Sequence, residues 1–162
     1  MKKSILFFLF LCPVMVFAQN TSIYTDIKPQ RCRMLDSHSE GATWACNGAA
    51  GYKLIHASDF VSEITLVSPR GTQMPLSLGE KLQPGWSSVG NKAEWRMRQG
   101  RPVALIVRYD IGEEGESRRI SYLVVARIEA NNACMVGKVP PGRNQNVLAR
   151  QMADAAQNMS CR

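Results

Sequence analysis

Hydrophobic and polar residues alternate most regularly between residues 93 and 109, in the pattern of two β-strands joined by a turn. The odd-numbered positions of both strands are apolar, as expected of strands that bury one face. For the two apolar sets to share a face, Trp95 must lie opposite Leu105, which predicts a hairpin with a short, odd-numbered loop containing Gly100. We expect this hairpin to be the centre of the fold, with Trp95 in the core.

The next predicted strand runs from Arg119 to Ile128, and the polar segment 111–117 before it is expected to be an exposed loop. In the middle of these strands the second face is apolar too, for example at Ile106 and Val125. A strand that is apolar on both faces is buried on both faces. We therefore expect something to cover this sheet, either a second sheet or the C-terminal helix.

The other β segments are shorter, and turns that carry glycine or proline separate them. We expect an extended arm over residues 20–30 and a long surface loop with one irregular strand over 72–90. Further strands are predicted at 31–35, 42–46, 52–56, 61–67 and 133–139. Together these segments predict a mainly β fold, an antiparallel sheet, sandwich or partly open barrel of about seven or eight strands with one C-terminal helix.

The C-terminal helix is predicted from a change of period near the end of the chain. Either Asn144 or Asn146 is a suitable N-cap residue. Four apolar residues recur there with the spacing of one helical face: Leu148, Met152, Ala155 and Met159. We expect this stripe to be the buried face of the helix.

Residues 1–18 have the pattern of a signal peptide rather than of a folded segment. Lys2 and Lys3 precede an apolar stretch, and Val16 and Ala18 stand at the positions that a cleavage site needs. The apolar stretch is shorter than the roughly 20 residues of a transmembrane helix. We expect cleavage after Ala18, export to the periplasm, a single domain over residues 19–162, and no transmembrane span after cleavage.

Four cysteines lie in the predicted domain, an even number that indicates disulfides in an exported protein. Cys32 and Cys46 flank a short segment, so a bridged hairpin is the simplest pairing. Cys134 and Cys161 would then tie the last strand to the chain terminus. A metal site is not expected, because the sequence has no Cys-x-x-Cys pair and only two histidines.

The chain carries a formal charge of +7, of which Lys2 and Lys3 supply two. The remaining charge of +5 suits an anionic partner, but a solvated surface on an exported protein is the simpler explanation, which we favour. No run of five or more basic residues occurs, and the basic residues are scattered. Nucleic acid is therefore not an expected partner.

Charged residues on the less apolar face of the central hairpin are the candidate site. One hypothesis is that Glu94, Arg96 and Arg108, with Trp86 as an aromatic wall, form a patch that binds an anionic or carbohydrate ligand. The interpretation that we favour is structural: Glu94 forms a cross-strand ion pair with Arg96 or Arg108. We expect no catalytic residue and no cofactor.

A small hydrolase is the enzymatic alternative. The residue types of a catalytic triad are present in Ser87 or Ser88 together with His56 and Asp59. However, the serines lack the Gly-x-Ser-x-Gly pattern and its strand–turn–helix setting. Cysteine catalysis requires an activated thiol, and here the cysteines are expected to be paired.

Several segments, in order, resemble a family of small, signal-bearing, cysteine-containing proteins from proteobacteria, mostly alphaproteobacteria. The similarity spans roughly residues 32–154, with two departures, at Asn47 and at 138–141. It is carried by residues 46–52, 86–90, the Glu94-Trp95-Arg96 hairpin motif with 100–108, residues 133–136 and 146–154. The resemblance implies a periplasmic location and one domain, and it implies no activity.

These observations predict a non-enzymatic periplasmic domain that binds an envelope protein or an anionic ligand, or that supports the envelope. A second hypothesis, from size, cysteines and compartment, is a secreted inhibitor of a cell-wall-degrading enzyme such as lysozyme. The positive charge argues against it, since many lysozymes are cationic and like charges slow association.

Overall fold

The computed structural model describes residues 20–112 and 119–162. Ten strands in these residues form two five-stranded antiparallel sheets, which confirms the predicted mainly β fold with one C-terminal helix. Sheet 1 has the order β1-β7-β8-β9-β10, and sheet 2 the order β2-β3-β4-β5-β6. The strands are β1 (Thr21–Asp26), β2 (Arg33–Ser37), β3 (Ala42–Asn47), β4 (Lys53–Ser58), β5 (Glu63–Val67), β6 (Gln73–Pro75), β7 (Trp86–Arg98), β8 (Arg101–Gly112), β9 (Arg119–Ile128) and β10 (Ala133–Val139). The helices are α1 (Leu78–Leu82) and α2 (Gln145–Ala155), with short 3₁₀ turns at Pro29–Arg31 and Ala156–Asn158.

The central hairpin has the predicted register but a different turn. Trp95 pairs with Leu105, as the alternation requires. The loop, however, has two residues, Gln99 and Gly100, both with positive φ (50° and 74°), as in the tight turns that join twisted strands. The predicted odd number of residues between Trp95 and Leu105 is still met, because Val103 is an extra residue in a β-bulge, where the register shifts by one.

Sheet 1 is covered on both faces, and both predicted covers are present. Its inner face packs against sheet 2 in a core that contains Trp95, Leu105 and Tyr109. Its outer face packs against α2 in a second core around Ile106 and Val125. The double burial explains why these strands are apolar on both faces.

The predicted buried stripe of α2 is partly correct: Met152 and Met159 pack, half-buried, against the core under the helix, but Leu148 and Ala155 are exposed. Leu148 is 50% exposed, whereas Ala149 and Ala153 are fully buried on the outer face of sheet 1. Small side chains let the helix lie close to the sheet, so the apolar stripe of larger residues is rotated towards its edge and solvent. Asn144 precedes the helix, but its side chain makes no capping hydrogen bond.

Two segments that were predicted as irregular contain regular structure. Part of the arm over 20–30 forms β1, an edge strand that pairs with β7. The segment 72–90 contains β6 and the short helix α1 as well as the start of β7. Glu63 accepts hydrogen bonds from the backbone N–H groups of Leu78 (2.8 Å) and Gly79 (2.6 Å), so a residue of β5 caps α1. A cap from a distant strand leaves no local sequence signal.

Both cysteine pairs lie at bonding distance. Cys32 and Cys46 join the 3₁₀ turn before β2 to β3, with the sulfur atoms 2.02 Å apart. Cys134 and Cys161 join β10 to the chain end, with the sulfur atoms 2.04 Å apart. Disulfides of this kind are typical of an oxidising compartment.

Most of the loop predicted over 111–117 lies outside the described residues; within them, β8 continues through Ile111 to Gly112. In the described part of the chain, no helix combines the length and the apolar composition that crossing a bilayer requires.

Candidate functional site

Glu94 lies on the outer face of β7, where α2 covers it. Its carboxylate accepts hydrogen bonds from Arg150 Nε (2.6 Å) and Nη2 (3.3 Å), and from the Ser22 hydroxyl of β1. Only 9% of Glu94 is exposed. The cross-strand partner predicted for Glu94 is therefore wrong, because the ion pair runs from the sheet to the helix.

Arg96, two residues further along the same face, makes the second sheet-to-helix ion pair. Its Nε and Nη2 donate to Asp154 Oδ1 and Oδ2, both at 2.8 Å, in a bidentate arrangement. Arg96 Nη1 also donates to the Ser22 hydroxyl (2.6 Å), which connects the two pairs. Arg150 and Asp154 are four residues apart on α2 and so face the same side of the helix.

Electrostatics favour the charged forms of these groups. Burial by itself raises the pKa of Glu94, but hydrogen bonds from Arg150 and Ser22 outweigh it, and the net pKa lies below the ordinary value. The pKa of Asp154 is lowered in the same way. Burial raises it, but hydrogen bonds from Arg96 and Asn20 outweigh this effect, and the net pKa lies below the ordinary value. The hydrogen bond to Glu94 raises the pKa of Arg150. Glu94 and Arg96, proposed from the sequence as ligand-binding residues, thus hold the C-terminal helix on the sheet.

Arg108 has a different position, in a groove beyond the N-terminal end of α2. This groove, called here the β8 groove, has a volume of about 560 Å³. Buried Ile106 and Leu123 contribute to its wall. The full lining comprises Tyr24, Lys28, Gly90, Asn91, Lys92, Glu94, Ile106, Arg108, Asp110, Leu123 and Asn146.

The side chain of Arg108 has neighbours on both sides of β8, Ser121 at its guanidinium and Gly90 beside its aliphatic part. Nη1 donates to the hydroxyl of Ser121 on β9 at 2.6 Å. On the β7 side, a Cβ at Gly90 would lie 2.8 Å from Arg108 Cβ and 3.4 Å from its Cγ, so a glycine is needed there. No ion pair of Arg108 with a carboxylate is found among the described residues.

Asp110 follows Arg108 on the same face of β8, because residues two apart in a strand share a face. Its Oδ1 is buried, and no described residue gives it a hydrogen bond. A buried polar atom of this kind is costly unless something satisfies it.

Trp86 does not join this site. It lies at the start of β7, opposite Gly112, whereas Glu94 lies opposite Ile106. The indole lines a separate cavity of about 530 Å³ with Glu40, Asp59 and Phe60. The guanidinium of Arg119 stacks over the Trp86 ring, 4.6 Å from its centroid. The structure thus brings Glu94 and Arg108 to one groove, places Arg96 beside it under the helix, and leaves Trp86 elsewhere.

The residues of the hydrolase alternative are not assembled into a triad. Ser87 is buried, and its hydroxyl bonds to the Tyr109 hydroxyl (2.7 Å) and to the backbone N–H of Ser62 (2.9 Å). His56 is buried beside Trp44, and neither ring nitrogen has a hydrogen bond of normal geometry within the described residues. The exposed Asp59 accepts from the backbone of the next residue. Burial raises the pKa of Tyr109 to about 12, so its hydroxyl stays protonated.

Sequence reasoning missed most of the residues that surround the candidate site. Lys28 and Lys92 belong to segments without clear alternation, and they reach the groove through the pairing of β1 with β7. Arg150 and Asp154 could have been found from the sequence. At i and i+4 they share one face of the predicted helix, as Glu94 and Arg96 at i and i+2 share one face of a strand, and the charges of the two pairs are complementary. In the described residues, no group of three or more His, Cys, Asp or Glu side chains is arranged to hold a metal ion.

No family model, no curated protein and no solved structure matches the chain. The resemblance to the proteobacterial family therefore remains a prediction.

Proposed function

We propose that this chain is an exported, non-enzymatic binding domain that takes a small anionic ligand in the β8 groove. The observation that carries the proposal is Arg108, a half-buried guanidinium that lines an open groove and is bonded to a neutral hydroxyl. An arginine held in this way presents its remaining N–H donors in a planar fork that suits carboxylate and phosphate groups.

The charges around Arg108 favour an anion. Lys28 and Lys92 also line the groove. Lys92 pairs with Asp26 at 3.3 Å, but both side chains are largely exposed (64% and 43%), and such surface pairs contribute little. The groove carboxylate of Glu94 is compensated by Arg150. Three cations thus face a cavity with two carboxylates, of which Glu94 is already paired and Asp110 is not, so that positive charge is in excess.

Support for export comes from two independent features. The N-terminal 18 residues have the composition of a signal peptide with a cleavage site after Ala18. The two disulfides need an oxidising compartment, which in a bacterium is the periplasm. Fractionation of cells followed by mass measurement tests this step. We expect a periplasmic species that begins at Gln19, and a cytoplasmic protein of full length would contradict export.

Ligand binding is tested with the oxidised protein and two simple anions, inorganic phosphate and butyrate. Backbone amide shifts in an NMR titration should move around the β8 groove, and Arg108→Gln should weaken the affinity at least about tenfold, the cost of losing a charge-assisted hydrogen bond. Arg70→Gln is the matched control, since Arg70 lines a different cavity and its loss removes the same charge. Equal weakening by both variants would indicate a nonspecific effect of charge and would contradict a site at Arg108.

The inhibitor and hydrolase hypotheses remain predictions. No contact among the described residues favours either of them over binding in the groove.

A further inference from the structure

The carboxylate of Asp110 lines the β8 groove together with Arg108. Although the two residues share one face of β8, they form no ion pair within the described residues. Arg108 instead extends past Gly90 and donates to Ser121. A carboxylate therefore lines the same groove as the guanidinium without being neutralised by it.

We infer that the β8 groove binds a zwitterion, a small molecule with an anionic group for Arg108 and an ammonium group for Asp110. The inference rests on the proposed function, because the anionic end of the ligand uses the same guanidinium. The ammonium group would donate to the Asp110 carboxylate, which lines the groove and has no ion pair among the described residues.

The guanidinium of Arg108 turns towards the level of Asp110. Arg108 Nη1 donates to Ser121, and Ser121 lies opposite Asp110 in the pairing of β8 with β9. One small molecule can therefore reach both charged groups. γ-Aminobutyrate, in which a short methylene chain joins a carboxylate to an ammonium group, is a simple representative of this class.

The polar and apolar parts of the groove agree with such a ligand. Buried Ile106, two residues before Arg108, and Leu123, opposite Arg108, offer apolar surface in the groove that suits a short methylene chain. The rim lysine Lys28 attracts the anionic end. A simple dicarboxylate satisfies the cations but places its second negative charge against Asp110.

The test compares molecules with the same carbon chain. The oxidised protein is titrated at pH 7 with γ-aminobutyrate and with butyrate, and the two dissociation constants are measured by NMR. We expect γ-aminobutyrate to bind at least about tenfold more tightly, since a hydrogen bond between charged groups is typically worth that factor. Asp110→Asn should remove this preference while butyrate binds as well as before or better. Asp59→Asn, which removes an exposed carboxylate in the Trp86 cavity, should leave the preference unchanged.

The outcomes separate this inference from the proposed function. If butyrate and γ-aminobutyrate bind equally, and both lose affinity in Arg108→Gln, the groove is an anion site and the zwitterion is refuted. If neither molecule nor phosphate moves the amide signals of the groove, both proposals are refuted. A preference that persists in Asp110→Asn would assign the ammonium group to another carboxylate and would overturn the role of Asp110.

Discussion

The bidentate pair of Arg96 and Asp154 should couple α2 to sheet 1 more strongly than an ordinary surface ion pair. The side chain of Arg96 is only 10% exposed and that of Asp154 is 39% exposed. Arg96 also donates to Ser22 and to the backbone carbonyl of Asn20. Replacing Asp154 by Asn therefore leaves a nearly buried guanidinium with its main acceptor weakened.

The expected cost lies between two limits. Breaking a fully buried pair costs about 3–5 kcal/mol, and exposed pairs contribute about 0.2–1 kcal/mol. Because Asp154 is more than one-third exposed, solvent screening reduces the effect, and we expect Asp154→Asn to lower the free energy of unfolding by about 1.5 kcal/mol. For a domain of this size the melting temperature should fall by about 5 °C.

A double-mutant cycle isolates the pair. Urea unfolding of Arg96→Gln, Asp154→Asn and the double variant should give a coupling free energy of about 1 kcal/mol. The matched control is the cycle of Lys92→Gln and Asp26→Asn, because that pair is exposed on both sides. Its coupling should be below about 0.5 kcal/mol.

The reasoning would be refuted by equal coupling in the two cycles. It would also be refuted if Asp154→Asn left the melting temperature unchanged, since the helix would then be held by its apolar contacts alone.

Three further predictions concern single residues. Glu94→Gln should lower the melting temperature by several degrees, since it weakens the ion pair between Arg150 and the nearly buried Glu94. An unchanged melting temperature in thermal unfolding would contradict this. Burial lowers the pKa of His56, and the backbone of Ile27 opposes this shift only in part. The unfolded chain therefore binds a proton more readily than the folded protein. The free energy of unfolding should fall as the pH drops below the ordinary pKa of 6.5, by up to about 1.4 kcal/mol per pH unit. In urea unfolding at several pH values, His56→Phe should lose this slope, and its persistence would assign the effect to another group. Gly90→Ala places a methyl group 2.8 Å from Arg108 Cβ and should weaken phosphate binding in the NMR titration. The control Gly142→Ala, whose added methyl group has no atom within 4 Å, should leave phosphate binding unchanged. Equal effects of the two variants would contradict the steric argument.

The alternation of residues on β7 and β8 was sufficient to predict their pairing, because side-chain direction in a strand is a local property with period two. It placed Trp95 opposite Leu105 and in the core. It could not distinguish a three-residue loop from a two-residue turn with a bulge at Val103. Both arrangements leave an odd number of residues between Trp95 and Leu105, so the choice depends on how the strands twist.

The candidate site was only partly predictable for a similar reason. A charged residue on a strand face is visible in the sequence, but its partner depends on which element covers that face. Glu94 and Arg96 lie under α2 and are paired with it, whereas Arg108 lies beyond the end of the helix and lines a groove.

The sequence by itself determined the β class, the faces of the central strands, the need for cover on both sides of the main sheet, and the presence of a C-terminal helix. These properties follow from local periodicity and composition. The tertiary structure alone decided the rotation of α2, which buries Ala149 rather than Leu148, because close approach to the sheet and the two ion pairs act together. It also decided the position of Lys28 beside Arg108, since strand pairing brings residues that are distant in the chain to the same groove.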